Sequence, residues 1–361
     1  MELAKTFPVL DVRSPGEYNH AHIPGAYNLP LFSDEERKIV GTAYKQQSRE
    51  VAIKLGLDFF GPKMRPIVEY VESLTASLSA APGAKPVLVH CWRGGMRSAG
   101  VAWLLDLYGF KVYTLAGGYK SYRHWIIETF SFPFSFRILG GYTGSGKTHV
   151  LEELKKKGEA VINLEKLACH KGSAFGNIGM PKQPTQEMFE NLLGHELRAC
   201  IERDVVSDGN GRFHTASLSL NQQDHIWLED ESQRIGDLNI PHTLWNSMWQ
   251  SPLLFITIPF EERLKHIVEE YGQLDQEKMI NAITRIKKRL GGLETKTALQ
   301  SLAAGDIESC FRILLKYYDK LYNKALDKRN QSKAPLTNLD CRNVNAPLIA
   351  DKITTHELLV K

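Results

Sequence analysis

The segment that most constrains the fold runs from Gly141 to Thr148 and has the pattern Gly-x4-Gly-Lys-Thr. The apolar run Phe136–Gly140 precedes it, and a helical pattern from His149 to Lys157 follows. A glycine-rich loop between a strand and a helix binds phosphate through backbone N–H groups, a lysine that reaches the terminal phosphate and a hydroxyl that ligates Mg²⁺. We therefore predict a diphosphate-binding loop made by Gly141, Gly144, Ser145, Gly146, Lys147 and Thr148. The motif leaves open which phosphate ester binds.

A magnesium site at such a loop also needs an acidic residue at the end of a neighbouring strand. The strand-like run His225–Leu228 is followed by Glu229, Asp230 and Glu231. Asp230 is the first choice for a metal ligand or general base and Glu229 is the second, although a solvated acidic turn has the same composition. Arg263 is either a charge-neutralising arginine or a residue of a helix surface.

A second loop, His90-Cys91-Trp92-Arg93-Gly94-Gly95-Met96-Arg97-Ser98, lies between an apolar strand and a helical pattern. Backbone N–H groups turned inward at Gly94 and Gly95, the charges of Arg93 and Arg97 and the helix N-terminus all favour a thiolate at Cys91 and an anion beside it. The spacing His-Cys-x5-Arg-Ser is also that of cysteine-dependent protein phosphatases. These nine residues alone leave a phosphatase and a sulfurtransferase open.

The other four cysteines are widely scattered and form no Cys-x-x-Cys pair, which favours buried structural thiols over a disulfide framework or a zinc cluster. No apolar run approaches the length of a membrane span, and no signal peptide precedes the first strand. We expect a cytoplasmic protein with no membrane partner.

Apolar strands alternate with helical patterns along the first 260 residues, which predicts parallel sheets of the α/β class. We predict a first domain over residues 1–128, a P-loop domain over 135–260 and a helical, basic region over 261–361. Strands are expected at 7–13, 86–90, 111–115, 136–140, 160–164, 225–228 and 253–258, and helices at 66–78, 98–108 and 149–157. The cysteine loop and the phosphate loop then both follow strand ends, where open α/β sheets bind ligands.

The net charge of +4 arises in the last 101 residues, which hold 18 basic and 14 acidic residues. This basic excess predicts a surface for a polyanion. A solvated helix face has the same composition. The neighbouring Tyr317, Tyr318 and Tyr322 are candidates for stacking on nucleic-acid bases, although core packing is favoured for at least two of them. The candidate polyanion-binding residues are Arg285, Lys287, Lys288, Arg289, Lys316, Lys320, Lys324 and Lys328.

The stretches 11–18 and 22–30 resemble the opening of rhodanese domains, and the turn Gly117-Gly118-Tyr119 resembles their closing turn. A rhodanese cysteine takes up a sulfur-type atom as a persulfide and passes it on. The loop after Cys91 is one residue longer than is common in rhodaneses, which favours a phosphorylated chalcogen as donor. The chain resembles bacterial tRNA 2-selenouridine synthases over residues 9–292. The resemblance is carried by these rhodanese-like motifs, the phosphate loop and the stretches 163–176, 183–191 and 229–236.

This resemblance implies a two-step modification of the wobble uridine of tRNA. A 2-thiouridine is alkylated on sulfur by geranyl diphosphate at the phosphate loop, and selenium from selenophosphate then displaces the S-geranyl group at Cys91. It implies tRNA, the two small-molecule donors and a selenophosphate-producing enzyme as partners, with Mg²⁺ a candidate cofactor. The alternatives are a phosphatase or sulfurtransferase fused to an ATP-hydrolysing P-loop module, and a nucleotide-gated binding module.

Overall fold

The computed structural model describes residues 6–76, 85–202, 225–272, 274–331 and 334–355. The chain forms two compact units. The first extends to Thr129 and includes Glu190–His195, and the second comprises Phe130–Phe189 and the residues from Glu196 on. Residues 205–223, which take no part in the predicted motifs, lie outside the described residues.

The first unit is built on a four-stranded parallel sheet in the order β2-β1-β3-β4. Its strands are β1 Val9–Asp11, β2 Tyr27–Asn28, β3 Pro86–His90 and β4 Lys111–Thr114. Its helices are α1 Pro15–His20, α2 Asp34–Gln46, α3 Arg49–Phe60, α4 Met64–Thr75, α5 Met96–Tyr108 and α6 Gly118–Thr129. A core that contains Leu10, Val89, Val101 and Leu105 fills the space between sheet and helices.

The second unit contains a five-stranded parallel sheet in the order β11-β10-β5-β7-β6. The strands are β5 Phe136–Gly141, β6 Ala160–Ile162, β7 Ile226–Glu229, β10 Leu253–Thr257 and β11 Leu336–Asp340. A short antiparallel pair, β8 Arg234–Ile235 and β9 Leu238–Asn239, stands apart from this sheet. Because β5 is the central strand, the phosphate loop that follows it lies at the middle of the sheet's carboxyl edge.

The helices of this part of the chain begin with α7 Lys147–Lys156, which follows the phosphate loop directly. The others are α8 Leu164–Ala168, α9 Gln186–Glu202, α10 His242–Gln250, α11 Phe260–Tyr271, α12 Gln276–Arg285, α13 Lys287–Leu290, α14 Gly292–Ala303, α15 Ile307–Asn330 and α16 Ala346–Thr355. Residues of α11, α12, α14 and α15 share one apolar cluster that includes Leu264, Ile283, Leu302 and Phe311.

The α/β class, the two parallel sheets and the helical C-terminal region are confirmed. Several elements were not expected. No element was predicted at the positions of the strands β2, β8 and β9 or of the helices α1, α2, α3, α6, α8, α9 and α10. The C-terminal region also adds β11 to the sheet, where it pairs with β10. Within the ranges the structure describes, no helix combines the length and apolar character of a bilayer crossing.

Candidate active sites

Cys91 lies at the end of β3, in the loop that leads into α5. Its residue surface is 3% exposed, whereas residues 92–96 around it are exposed, so the thiol lies at the base of an open loop. Gly95 caps α5, which directs the N-terminus of this helix at the loop. This is the placement that the sequence predicts for a nucleophile.

The surroundings of Cys91 favour its anion. Burial opposes ionisation, but the Ser98 hydroxyl and backbone N–H groups of Ser98, Arg93 and Gly95 outweigh it, and the pKa of the thiol lies below its ordinary value. The Sγ atom is 3.2 Å from Ser98 Oγ, which is also 3.0 Å from the Gly95 carbonyl. A hydroxyl has one proton to donate, so the Ser98 hydroxyl can donate a hydrogen bond to the Cys91 thiolate. When the thiol is protonated, the same hydroxyl can donate to the Gly95 carbonyl instead.

The two other thiols with resolved shifts behave in the opposite way. Burial raises the pKa of Cys310 to about 11 and raises that of Cys341 above its ordinary value. Of these three cysteines, Cys91 alone has donors that stabilise a thiolate.

Arg97 is already paired within the first unit. Its Nη1 donates to Glu17 Oε2 at 2.8 Å, and Arg37 Nε of α2 lies 2.9 Å from the same oxygen. Burial opposes ionisation of Glu17, but Arg97, Ser14 and Arg37 hold the pKa of its carboxyl below its ordinary value. Arg93 is exposed. The loop therefore presents one exposed arginine and one that is bound to an internal carboxylate.

Two glycines let the closing turn pack on the cysteine loop. Gly94 and Gly118 have φ of 67° and 61°, and a Cβ on Gly118 would lie 2.4 Å from the Cys91 carbonyl oxygen. Tyr119 N donates to that carbonyl and Lys120 N to the Trp92 carbonyl, both at 2.9 Å. Beneath them the buried Arg13 pairs with Asp11 and lies 3.8 Å from the Tyr119 ring centroid.

His90 is fully buried, with Nε2 3.8 Å from Asp11 Oδ2. Burial lowers the pKa of His90, so its ring is neutral at physiological pH. A last strand residue is as often part of the packing as of the chemistry, and His90 is buried at that position.

The phosphate loop adopts the backbone that its glycines allow. Gly144 and Gly146 have φ of 82° and 69°, and Cβ atoms there would approach Arg263 O and Val344 to 2.9 and 2.8 Å. Lys147 is buried, with Nζ 3.1 Å from the Gly141 carbonyl and 3.6 Å from Glu229 Oε1. A bound phosphate would offer this ammonium a stronger partner than the loop carbonyl.

Thr148, at the start of α7, faces two carboxylates. Its Oγ1 is 3.1 Å from Glu165 Oε2 and 3.3 Å from Glu229 Oε2. Oxygen atoms of Glu165, Glu229 and Glu231 lie within 4.8 Å of one another, a donor set of hard oxygens that suits Mg²⁺. Asp230, the first choice from sequence, is instead paired with Arg329 at 3.1 Å, so Glu229 takes the place opposite Thr148.

Crowding of these acids opposes their ionisation. Burial and the charge of Glu229 raise the pKa of Glu165 to about 8, and burial raises the pKa values of Glu229 and Glu231 as well. The positive charge of Lys147 lowers the pKa values of these glutamates in part. The pKa of Lys147 itself is raised, because the neighbouring Tyr322 and carboxylates outweigh the opposing effect of burial. One ammonium therefore faces several carboxylates, a charge balance that a divalent cation would complete.

Lys147, Thr148 and the three glutamates line a cavity of about 1030 Å³ within the second unit. Its walls also carry an aromatic set composed of Trp245, Trp249, Tyr271, Tyr317, Tyr318 and Tyr322. Trp245 Nε1 donates to the Glu231 carbonyl at 3.4 Å and its ring stacks on Trp249 at 5.5 Å. Lys147 Nζ lies 5.5 Å from the Tyr322 ring centroid, so charged and aromatic walls meet at the loop.

The basic candidates divide into two groups. Arg285 and Arg289 line the cavity, and Arg285 Nη2 donates to the Ala174 carbonyl at 2.9 Å. Lys287 and Lys288 are exposed on α13. The second group shares one exposed face of α15 and comprises Lys316, Lys320, Lys324 and Lys328. Of the tyrosines on α15, Tyr317 is buried and the other two are half-buried.

Arg263 is not a surface residue. It is 3% exposed, pairs with Asp319 of α15 at 2.8 Å and donates to the Thr143 carbonyl of the phosphate loop at 3.1 Å. It connects the loop to α15.

Sequence reasoning missed Glu165 as a partner of Thr148 and Trp245 and Trp249 as cavity walls. Glu165 could have been found, because it comes soon after β6 and the carboxyl ends of parallel strands share one edge. The tryptophans carried no such signal, since aromatic residues in a helix usually indicate core.

Two family models match the chain: the AAA domain of tRNA 2-selenouridine synthases at residues 134–207 and 211–347, and the rhodanese-like domain at residues 2–124. Among curated relatives, the tRNA 2-selenouridine synthase of Hydrogenovibrio crunogenus is 34% identical over 358 residues, which cover 90% of this chain and 91% of that protein. Those of Bdellovibrio bacteriovorus and a Sulfurovum species are 32% and 31% identical, each over 90% of both chains.

Proposed function

The chain belongs to the tRNA 2-selenouridine synthase family, and from this premise we propose that it converts the wobble 2-thiouridine of tRNA to 2-selenouridine through an S-geranyl intermediate. The donors are geranyl diphosphate and selenophosphate. The observation that carries the first step is the cavity in which a phosphate loop meets an aromatic wall.

In the first step the thiocarbonyl sulfur attacks C1 of geranyl diphosphate. The C1–O bond breaks, diphosphate leaves with the electron pair, and the base loses its N3 proton to give neutral S-geranyl-2-thiouridine. Charge grows on the bridging oxygen as the bond breaks, and the loop N–H groups and Lys147 stabilise it.

Mg²⁺ fits the oxygen donors of Thr148, Glu165, Glu229 and Glu231, and we propose that these residues hold it. When bound, the ion supplies positive charge to the departing diphosphate. Lys147 and the loop N–H groups bind the remaining phosphoryl oxygens.

The hydrocarbon chain has a matching place in the same cavity. Trp245 donates to the Glu231 carbonyl and stacks on Trp249, and the Tyr322 ring centroid lies 5.5 Å from Lys147 Nζ. Aromatic rings bury apolar chains, and their faces stabilise the positive charge that an allylic carbon develops as diphosphate departs.

In the second step selenium replaces sulfur at C2. Sulfur in a thiocarbonyl is a poor leaving group, whereas the alkylated sulfur is singly bonded to C2 and departs as geranylthiol. The backbone N–H groups around Cys91 and the neighbouring Arg93 and Arg97 support binding of an anionic selenium donor at the loop.

The tRNA needs contacts with many phosphates, and the lysine face of α15 with Arg285, Lys287, Lys288 and Arg289 supplies cations for them. A selenophosphate-producing enzyme is the further partner that the second donor requires. We place the reaction in the cytoplasm, where tRNA is modified.

Two variants separate the steps. Lys147→Ala should abolish geranylation of 2-thiouridine tRNA by geranyl diphosphate but still convert chemically prepared S-geranyl tRNA with selenophosphate. Cys91→Ser should geranylate normally but form no 2-selenouridine. Nucleoside mass spectrometry distinguishes the products. A Lys147→Ala enzyme that geranylates at the wild-type rate contradicts the assignment, and ATP hydrolysis without geranylation would favour the ATP-hydrolysing alternative.

A further inference from the structure

We infer that Cys91 accepts the phosphoryl group of selenophosphate and never carries selenium. In this role the cysteine loop removes phosphate from a selenium atom that has already been joined to C2 of the uridine. The inference rests on the proposed function and assigns a phosphoryl-transfer activity to the same loop.

Electron balance excludes a selenium-loaded cysteine with this donor. Selenium in selenophosphate is already at the selenide oxidation level, and the sulfur of a thiolate is equally reduced. An S–Se bond between them requires removal of two electrons, for which neither donor supplies an oxidant. Substitution at carbon and substitution at phosphorus need no oxidant, so both are open.

The balanced sequence has three substitutions. The selenium of selenophosphate attacks C2 of the S-geranyl base, the C2–S bond breaks, and geranylthiolate leaves and takes up a proton. The product carries C2–Se–phosphoryl. Cys91 thiolate then attacks phosphorus, the P–Se bond breaks, and the electron pair stays on the selenium of 2-selenouridine, which is protonated at N3. Water finally cleaves the S–P bond, which returns the Cys91 thiolate and inorganic phosphate.

The loop suits phosphorus as the attacked atom. The thiolate is surrounded by the backbone N–H groups of Arg93, Gly95 and Ser98, and such a concave arrangement of N–H groups binds tetrahedral oxyanions. Arg97 donates through Nη1 to Glu17, and a guanidinium has four further N–H groups of the kind that bind phosphoryl oxygens. A selenium atom that is bonded to sulfur alone has no oxygens for these donors.

The ionised state of Glu17 is compatible with a selenolate leaving group, which needs no proton from the enzyme. Arg97, Arg37 and Ser14 all donate to one oxygen of Glu17, which keeps this carboxyl ionised at neutral pH, so it has no proton to give. Attack on an ordinary phosphate ester requires an acid for the departing alkoxide. A selenolate that is delocalised into the pyrimidine ring is a weak base and departs without one.

Ser98 has a defined part in the last substitution. Its hydroxyl lies 3.2 Å from Sγ and can donate its proton to the thiolate as the S–P bond breaks. Removal of the hydroxyl should slow this hydrolysis more than it slows formation of phosphocysteine. Ser98→Ala should therefore trap the phosphorylated enzyme.

The experiment mixes chemically prepared S-geranyl tRNA with selenophosphate that is radiolabelled at phosphorus and quenches in acid-free denaturant within the first turnover. A phosphoryl group and a selenium atom add nearly the same mass, so the label and the selenium isotope pattern identify what Cys91 carries. Ser73→Ala is the matched control, because Ser73 also donates to a carbonyl within its helix but is exposed on α4, away from the loop.

We expect Ser98→Ala to give a burst of one 2-selenouridine per enzyme, labelled Cys91 and at least tenfold slower later turnovers, while Ser73→Ala matches wild type. Cys91→Ser should accumulate tRNA that carries C2–Se–phosphoryl. Selenium on Cys91 without phosphorus, or a Ser98→Ala enzyme that neither bursts nor retains label, would overturn the inference alone. Failure of wild-type enzyme to form any 2-selenouridine would overturn the proposed function and this inference with it.

Discussion

Replacement of Glu165 by Gln should stabilise the protein at alkaline pH in the absence of divalent cations. In the folded chain the pKa of Glu165 is raised from 4.5 to about 8, chiefly by burial and the charge of Glu229. The folded state therefore holds a proton that the unfolded chain releases at lower pH. The contribution of Glu165 to the free energy of unfolding is fully present below its pKa in the unfolded chain. It is lost as the pH rises through its higher pKa in the folded chain.

The magnitude follows from the shift. One pKa unit corresponds to about 1.4 kcal/mol, so the shift of Glu165 amounts to about 5 kcal/mol at pH 9. Glu229 and Glu231 share protons with Glu165, so removal of one charge recovers only part of this free energy. We expect Glu165→Gln to increase the free energy of unfolding at pH 9 by about half of it, roughly 2 to 3 kcal/mol. In the Glu165→Gln variant the new amide oxygen can still accept from Thr148, so the hydrogen bond of 3.1 Å need not be lost.

Urea unfolding at pH 5 and pH 9 in chelator measures this difference. The variant should match wild type at pH 5, where Glu165 is protonated, and exceed it at pH 9. Mg²⁺ should stabilise wild type more than the variant at pH 9, because the variant lacks one ligand. Glu262→Gln, at an exposed carboxylate of α11, is the control and should show no such pH dependence. A Glu165→Gln protein that is equally or less stable than wild type at pH 9 would refute the reasoning.

Three further results are expected. Glu17→Gln keeps the hydrogen-bond acceptor for Arg97 but removes the negative charge of Glu17. Alkylation of Cys91 by iodoacetamide should therefore reach its half-maximal rate at a pH up to about one unit lower, and an unchanged pH profile would contradict this expectation. Trp249→Ala should raise the KM for geranyl diphosphate about tenfold, more than that for a five-carbon allylic diphosphate; equal losses would argue against a hydrocarbon wall. Replacing Lys316, Lys320 and Lys324 with Gln should weaken tRNA binding and reduce its salt dependence by up to about three counterions, while geranylation of a short anticodon oligonucleotide should change little.

Much of the fold followed from local patterns. β3 was predicted residue for residue, and β5 and β10 within one residue. The apolar runs of β5 and β10 end abruptly at glycine or proline, which locates their ends. Helices α2 and α3 were missed, since their polar surfaces give a weak periodic signal. β11 was missed because Leu336–Asp340 is short and mostly polar, and its strand conformation depends on pairing with β10.

The site was predicted in part for the same reason. Lys147, Thr148 and Cys91 belong to contiguous motifs, and their positions at strand ends follow from the motifs. The choice between Asp230 and Glu229 was not local: side chains alternate along a strand, and Arg329, 99 residues away, binds Asp230 and leaves Glu229 to face Thr148. The Glu17–Arg97 pair is likewise a contact across 80 residues that no spacing rule predicts.

The central claim is that one wobble uridine is served first by the phosphate loop and then by Cys91. Mass spectrometry of tRNA nucleosides from cells that lack the gene, complemented with wild type, Lys147→Ala or Cys91→Ser, tests it most directly. The account predicts 2-selenouridine with wild type, unmodified 2-thiouridine with Lys147→Ala and, with Cys91→Ser, tRNA that has passed the geranylation step but carries no 2-selenouridine. Equal amounts of 2-selenouridine in the three complemented strains, or none with wild type in selenium-supplied cells, would contradict it.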